Sequence, residues 1–289
     1  MRVSILGDGV WGSVLGKILV SNGHEVTFWN RKNQIDPADF VVIAIPTQAI
    51  RGVFKNYGRN LKKAVIINCA KGLEKGSQKL PSEIVQELLG TEIEYFTLIG
   101  PSFAQEVGDK MPTLVNLGGH NGKTQDICNL FKTDYFRVRP TKSVEALELA
   151  GALKNVYAIA CGIADGLGFG ENTRAKLITI AYEEFLRLAT KLKYGIDEET
   201  RPGILGDLVL SCSSIESRNF SFGKNLVKYS VKESIKKVDS TIEGYNTAFS
   251  ILHFSEKSAM PLGEFVLRII EENNPKKVGN RFADLVKNI

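Results

Sequence analysis

The chain has 289 residues, 43% of them hydrophobic and 24% charged, with a formal net charge of +5; this is the composition of an ordinary globular protein with room for one large or two smaller domains. The charge suits an anionic small molecule or a solvated mixed-charge surface alike, and without an aromatic-interleaved basic patch no nucleic-acid partner is expected. No window approaches the 18 or so unbroken apolar residues of a membrane-crossing helix, so no membrane insertion is expected.

In chain order, "RVSILG" (2–7), "HEVTFW" (24–29), "FVVIAIP" (40–46), "AVIINCA" (64–70), "YFTLIG" (95–100), "PTLVNLG" (112–118) and "YFRVRP" (135–140) read as strands. Most lack strict alternation, as in a parallel sheet covered by helices on both faces. "VWGSVLGKILVSNG" between the first two reads as a crossover helix ending at Gly23, which is β–α–β grammar. After Pro140 the apolar spacing turns helical. One long helix is predicted to break at Gly166 and Gly168, and a second follows with Asn172 as its cap. The residues therefore predict a doubly wound α/β domain over 1–140 and an all-α domain over 141–289. Met1 and Arg2 lead straight into strand-like sequence, with no signal-peptide pattern. Cys69, Cys128, Cys161 and Cys212 lie far apart with no metal-like spacing, which predicts reduced thiols, a cytoplasmic protein and no metal.

Gly7, Gly9 and Gly12 form G-x-G-x-x-G between a strand and a helix. In a dinucleotide site the first glycine makes the turn and the second admits a pyrophosphate. The third lets the helix pack close to the sheet, with its N-terminus facing the negative charge. A glycine-rich turn without a ligand has the same residues. The second strand ends in "WNRK", with no acid to bind a ribose 2′-hydroxyl. Asn30, Arg31 and Lys32 suit a 2′-phosphate instead, which favours NADP over NAD, unless the basic pair merely solvates a loop.

Ligands of an open α/β sheet bind beyond the C-terminal strand ends. Those ends carry Pro46, Lys71 in "NCAKG" and the run "GPSFAQE" at 100–106. Lys71 is placed to reach a cofactor crevice or to be a loop lysine. Lys154 is the only charged residue between Glu148 and Asp165. Its neighbours on a helix are small or apolar, and burial disfavours the charged form of an amine, which is useful in proton transfer; the alternative is snorkelling. "GDLVLSCSSIESRNFSFG" gathers Asp207, Ser211, Ser217, Arg218 and Asn219. A guanidinium among polar groups suits a phosphate, or a capped loop with a surface arginine. Asp207 fits a lysine partner, a substrate hydroxyl or a helix cap.

The segments "GDGVWGSVLG", "AKGLE", "GPSFAQEV", "ELAGALKNVYAIACGIADGLGFGENTRAKLI", "GDLVLSC", "SRNFSFG" and "EGYNTA" together resemble bacterial NAD(P)-dependent glycerol-3-phosphate dehydrogenase. The resemblance implies a Rossmann-type domain followed by an all-helical one. It also implies interconversion of dihydroxyacetone phosphate and sn-glycerol 3-phosphate for glycerophospholipid synthesis, and a homodimer. By matching motifs, Lys154 takes the place of the proton donor and acceptor, and Lys71, Gly100, Ser102, Asp207, Ser217, Arg218 and Asn219 fall on substrate positions. Asn155 joins Asp207 in holding hydroxyl groups and the lysine. The glycine turn with Val10, and Trp11, Arg31, Lys71, Ala104, Arg218, Glu243 and, by a looser match, Thr241, fall on cofactor positions. Two departures stand out. Only "NRKNQIDPAD" separates the second and third strands, which predicts the loss of an edge strand, and "NFSFG" stands where the family has "NRRFG". Other readings are a 3-hydroxyacid or 6-phosphogluconate-type dehydrogenase and a cofactor-binding regulator without turnover.

Overall fold

The computed structural model describes residues 1–30, 35, 37–61 and 63–288. The chain begins with β1 (Arg2–Leu6), α1 (Val10–Ser21), β2 (Glu25–Trp29), β3 (Phe40–Ile43), α2 (Thr47–Leu61), β4 (Val65–Asn68) and α3 (Pro81–Leu89). Then come β5 (Tyr95–Ile99), α4 (Ala104–Gly108), β6 (Thr113–Gly119), α5 (Thr124–Phe131) and β7 (Phe136–Thr141). Each strand falls on one of the apolar runs read from the sequence.

The sheet order is β2-β1-β3-β4-β5-β6-β7. Consecutive strand residues face opposite sides, so each apolar strand feeds two layers. Ile5, Val42 and Ile67 pack with Leu15, Ile18 and Leu19 of α1 and Phe131 of α5. Leu6, Val41, Ile43 and Ile66 pack on the other side with Phe54 of α2 and Ile84 and Val85 of α3. β2 stands at the end of the order and is mostly exposed, with only Trp29 buried, as the shortened segment after it predicts. The all-parallel expectation fails at one junction, where β6 runs antiparallel to β5. The link between them carries only the five-residue α4, too short a helix for the usual crossover of a parallel pair.

From Val144 onward the chain is helical: α6 (Val144–Gly166), α7 (Glu171–Lys191), α8 (Arg201–Ser213), α9 (Arg218–Leu226) and α10 (Val231–Val238). It ends with α11 (Glu243–Ala248), α12 (Ile251–Ser255), α13 (Pro261–Glu272) and α14 (Pro275–Asn288). Two compact units result. The first is Met1–Lys71, Lys79–Glu148 and Gly195–Ile204; the second is Gly72–Gln78, Leu149–Tyr194 and Leu205–Ile289. The division falls inside α6.

Two local readings are corrected. Gly170, with extended φ −91° and ψ −168°, is the N-cap of α7; Asn172 lies exposed within the first turn. And α6 is, by length and composition, apolar enough to cross a membrane, contrary to the sequence reading, but its apolar window is 100% buried.

Candidate active site

The glycine turn takes the form its spacing predicts. Gly7 has φ +112°, and a Cβ there would lie 2.8 Å from the Ala44 carbonyl oxygen. A Cβ on Gly12 would come within 2.2 Å of the Gly7 carbonyl oxygen, so the start of α1 can sit this close only as glycine. Gly9 caps α1 in extended backbone, with no side-chain cap bond and no acid in the helix's first turn. Nothing lies within 4 Å of where its Cβ would stand. The positive end of a twelve-residue helix thus meets an open backbone, which fits an anionic pyrophosphate. Val10 beside it is 71% exposed. The Trp11 indole N–H donates to the sulfur of Cys69, whose thiol burial pushes up to about 12. Asn30 donates from Nδ2 to Asp8 Oδ2 at 3.5 Å. Arg31 and Lys32 lie outside the described residues.

At the end of β4, half-buried Lys71 donates from Nζ to the Gly100 carbonyl at 3.1 Å. Ser102 Oγ donates to the same oxygen at 3.0 Å. One carbonyl thus gathers three of the sequence-predicted substrate residues. Gly100 is pressed against β6, where a Cβ would lie 2.8 Å from Val115 Cα. Ala104 opens α4 and is half-buried.

In the second unit Lys154 is 9% exposed, so it does not snorkel. Its ammonium donates to Asp207 Oδ1 at 2.7 Å and to Ser211 Oγ at 2.7 Å. Asp207 and Ser211 are one turn apart on α8 and so share a face. Asp207 lies within the helix, 3% exposed, so it is not a helix cap, and it is paired with the lysine. A buried ammonium is tolerated only when paired and hydrogen-bonded, and both conditions hold here.

Asn155, next on α6, accepts at Oδ1 from Asn219 Nδ2 at 3.0 Å. Asn219 Oδ1 in turn accepts from the Gly244 backbone N–H at 2.9 Å. This chain links α6, the start of α9 and the start of α11, where Glu243 is half-buried. It depends on α6 and α9 touching backbone to backbone. A Cβ on Gly162 would lie 2.0 Å from the Phe220 carbonyl oxygen, and one on Gly223 would lie 2.1 Å from that of Ile159. Ser217 caps α9, its hydroxyl accepting from the Phe220 N–H. Arg218 follows as the first helical residue, bonded from Nη1 to Ser240 Oγ at 2.9 Å. Thr241, next in the chain, is exposed.

The sequence reading passed over Gly162 and Gly223, since a glycine inside a helical pattern does not say which helix crosses it. The spacing of Gly162 and Gly166, one turn apart in an otherwise apolar helix, is the signal that marks such a crossing. Ser211, grouped in the sequence with residues suited to a phosphate, accepts from the Lys154 ammonium instead.

Comparison with known proteins agrees with the resemblance. The family model described as NAD-dependent glycerol-3-phosphate dehydrogenase C-terminus matches residues 143–279. The corresponding N-terminus model matches 2–36 and 32–125. A glycerol-3-phosphate dehydrogenase [NAD(P)+] of Thermotoga sp. (strain RQ2) is 35% identical over 309 residues, covering 95% of this chain and 94% of that protein. One from Leptospira biflexa serovar Patoc is 34% identical, covering 96% of each. The crystal structure of glycerol-3-phosphate dehydrogenase from Coxiella burnetii superposes with a TM-score of 0.85 at 30% identity, covering 98% of both chains. D-mandelate dehydrogenase, at TM-score 0.62 and 14% identity, shares the fold alone.

Proposed function

The chain belongs to the NAD-dependent glycerol-3-phosphate dehydrogenase family, and from that premise we infer an oxidoreductase that interconverts dihydroxyacetone phosphate and sn-glycerol 3-phosphate with NAD(P)H. Its product is the precursor of glycerophospholipids. The observation that carries the residue assignment is the buried ammonium of Lys154, held by Asp207 and Ser211. A lysine so enclosed serves proton transfer rather than solubility.

The nicotinamide, when bound, supplies the hydride that reaches the carbonyl carbon. Lys154 gives a proton to the carbonyl oxygen in reduction and takes one back in oxidation. Asp207 balances its charge and Ser211 fixes its direction. Lys71 stabilises negative charge developing on that oxygen, and Gly100 and Ser102 contribute to the substrate site. Ser217, Arg218 and Asn219 open α9, where the helix N-terminus and a guanidinium together suit the substrate phosphate. Asn155 orients Asn219 and a substrate hydroxyl. Gly7, Gly9, Val10, Trp11, Gly12 and Ala104 hold the dinucleotide, with Arg31, Thr241 and Glu243 as further contacts. NADP is favoured over NAD because no acid ends the second strand. The four buried free thiols support a reducing compartment, the cytoplasm. We infer a homodimer as well, as the resemblance implies.

The test follows NADPH or NADH oxidation by absorbance with dihydroxyacetone phosphate, and with a ketoacid and unphosphorylated dihydroxyacetone alongside. Turnover largely confined to the phosphate ester is expected, faster with NADPH. A preference for the ketoacid overturns the substrate, and equal kcat/KM with both cofactors overturns the NADP preference.

A further inference from the structure

We propose that Glu148 is a positioning residue: its buried carboxylate, acting through Asn68, holds the turn that carries Lys71. Glu148 is 1% exposed and takes no part in the chemistry assigned above. Its Oε1 accepts from Asn68 Nδ2 at 3.0 Å and from the Tyr95 hydroxyl. Its Oε2 accepts from the Ser82 backbone N–H at 3.0 Å and the Ser82 hydroxyl at 2.6 Å. Four donors converge on a group that, when ionised, only accepts.

Three of the four donors come from the two ends of one excursion of the chain, and the fourth, Tyr95, opens β5. Asn68 is the last residue of β4, and Ser82 lies in the first turn of α3. Lys71 stands between them. Asn68, 0% exposed, passes the constraint along: its Oδ1 accepts from the Ala70 N–H at 2.9 Å, and its Nδ2 reaches the Ala70 carbonyl at 3.2 Å. Ala70 is the residue before Lys71, whose Nζ is fixed on the Gly100 carbonyl at 3.1 Å. A core position that only filled space would be served by an apolar side chain, whereas burying a carboxylate is costly unless its acceptors are all used. Glutamine keeps the shape but turns an NH₂ toward donors, leaving buried groups unpaired.

This inference rests on the role given to Lys71. The experiment measures kcat and KM for dihydroxyacetone phosphate in wild type, Glu148→Gln, Lys71→Ala and the double variant, with limited trypsin digestion of each folded protein carrying Lys71. Glu148→Gln is expected to lower kcat/KM roughly tenfold in the wild-type background and to do little once Lys71 is gone, the non-additivity of coupled neighbours. Trypsin cleavage after Lys71 should accelerate while other sites hold. Equal fold-losses in both backgrounds overturn the proposal, because a residue that only stabilises the fold acts whether or not Lys71 is present. Should Glu148→Gln not fold, Asn68→Ala breaks the same link from its other end and replaces it in the cycle. Should wild type not reduce dihydroxyacetone phosphate, the functional reading fails separately. Cleavage then decides the proposal: acceleration confined to the bond after Lys71 supports it, and unchanged or general acceleration overturns it.

Discussion

Lys154 of α6 and Asp207 of α8 are 53 residues apart in the chain and 2.7 Å apart in the fold, with both side chains buried. The pair is the charged centre of the helical unit, and its two halves answer different questions when removed.

Lys154→Ala removes the proposed proton donor. Turnover should fall roughly 10²–10⁴-fold, the usual worth of general acid–base catalysis, while NADPH affinity measured by fluorescence titration stays close to wild type. A variant with near-normal kcat removes Lys154 from the mechanism.

Asp207→Ala leaves the ammonium buried and uncompensated. A stability loss of about 3–5 kcal/mol is expected in denaturant titration. The paired replacement Lys154→Met with Asp207→Leu should recover most of that stability without recovering turnover. If the single variant is as stable as wild type, the ion pair is not holding the site.

Arg218→Ala removes a charge-assisted contact from the start of α9. The KM for dihydroxyacetone phosphate should rise by at least tenfold, in line with the roughly 1.5–3 kcal/mol of a hydrogen bond to a charged group. Unphosphorylated dihydroxyacetone should be little affected. Equal losses on both substrates mean that Arg218 does not read the phosphate.

Gly162→Ala tests the crossing that brings Asn219 to Asn155. The new methyl would lie 2.0 Å from a backbone oxygen of α9, which cannot move without the helix. Overpacking of this kind costs roughly 1–3 kcal/mol, and displacement of α9 should raise the substrate KM as well. A variant with wild-type Tm and KM shows that the helices can part without consequence.

Glu184 makes stability depend on pH. It is fully buried, accepting from the backbone N–H groups of Leu262 and Gly263 at the start of α13. Burial pushes its carboxyl up to about 7 from 4.5. The folded state therefore keeps a proton that the unfolded state releases near pH 4.5. The resulting stabilisation is complete below that pH and is lost as pH rises through about 7. Glu148, raised to about 7 by burial, acts in the same direction. Glu184→Gln should flatten the decline in stability between roughly pH 5 and 8 by about 2–4 kcal/mol. An unchanged pH slope means that Glu184 is ionised in the folded chain throughout.

Much of the molecule was legible because local patterns carry it. Seven apolar runs became seven strands, and the central ones, β1, β3, β4 and β5, are buried on both faces and so must be largely apolar. The glycine turn was legible because a positive φ at Gly7 and a backbone contact at Gly12 each exclude other residues. Lys154 was conspicuous because a charge in an apolar helix has few innocent explanations. Residue spacing left open what Lys154 pairs with, whether Asp207 caps a helix or balances a charge, and which helix Gly162 touches. It also hid the reversal at β6 and the tie between Glu148 and Asn68, 80 residues apart in the chain. Periodicity and turn chemistry act over a few residues and are written in the chain itself. Pairing across dozens of residues exists only once packing brings two elements together, and there the tertiary structure alone decided which polar groups meet.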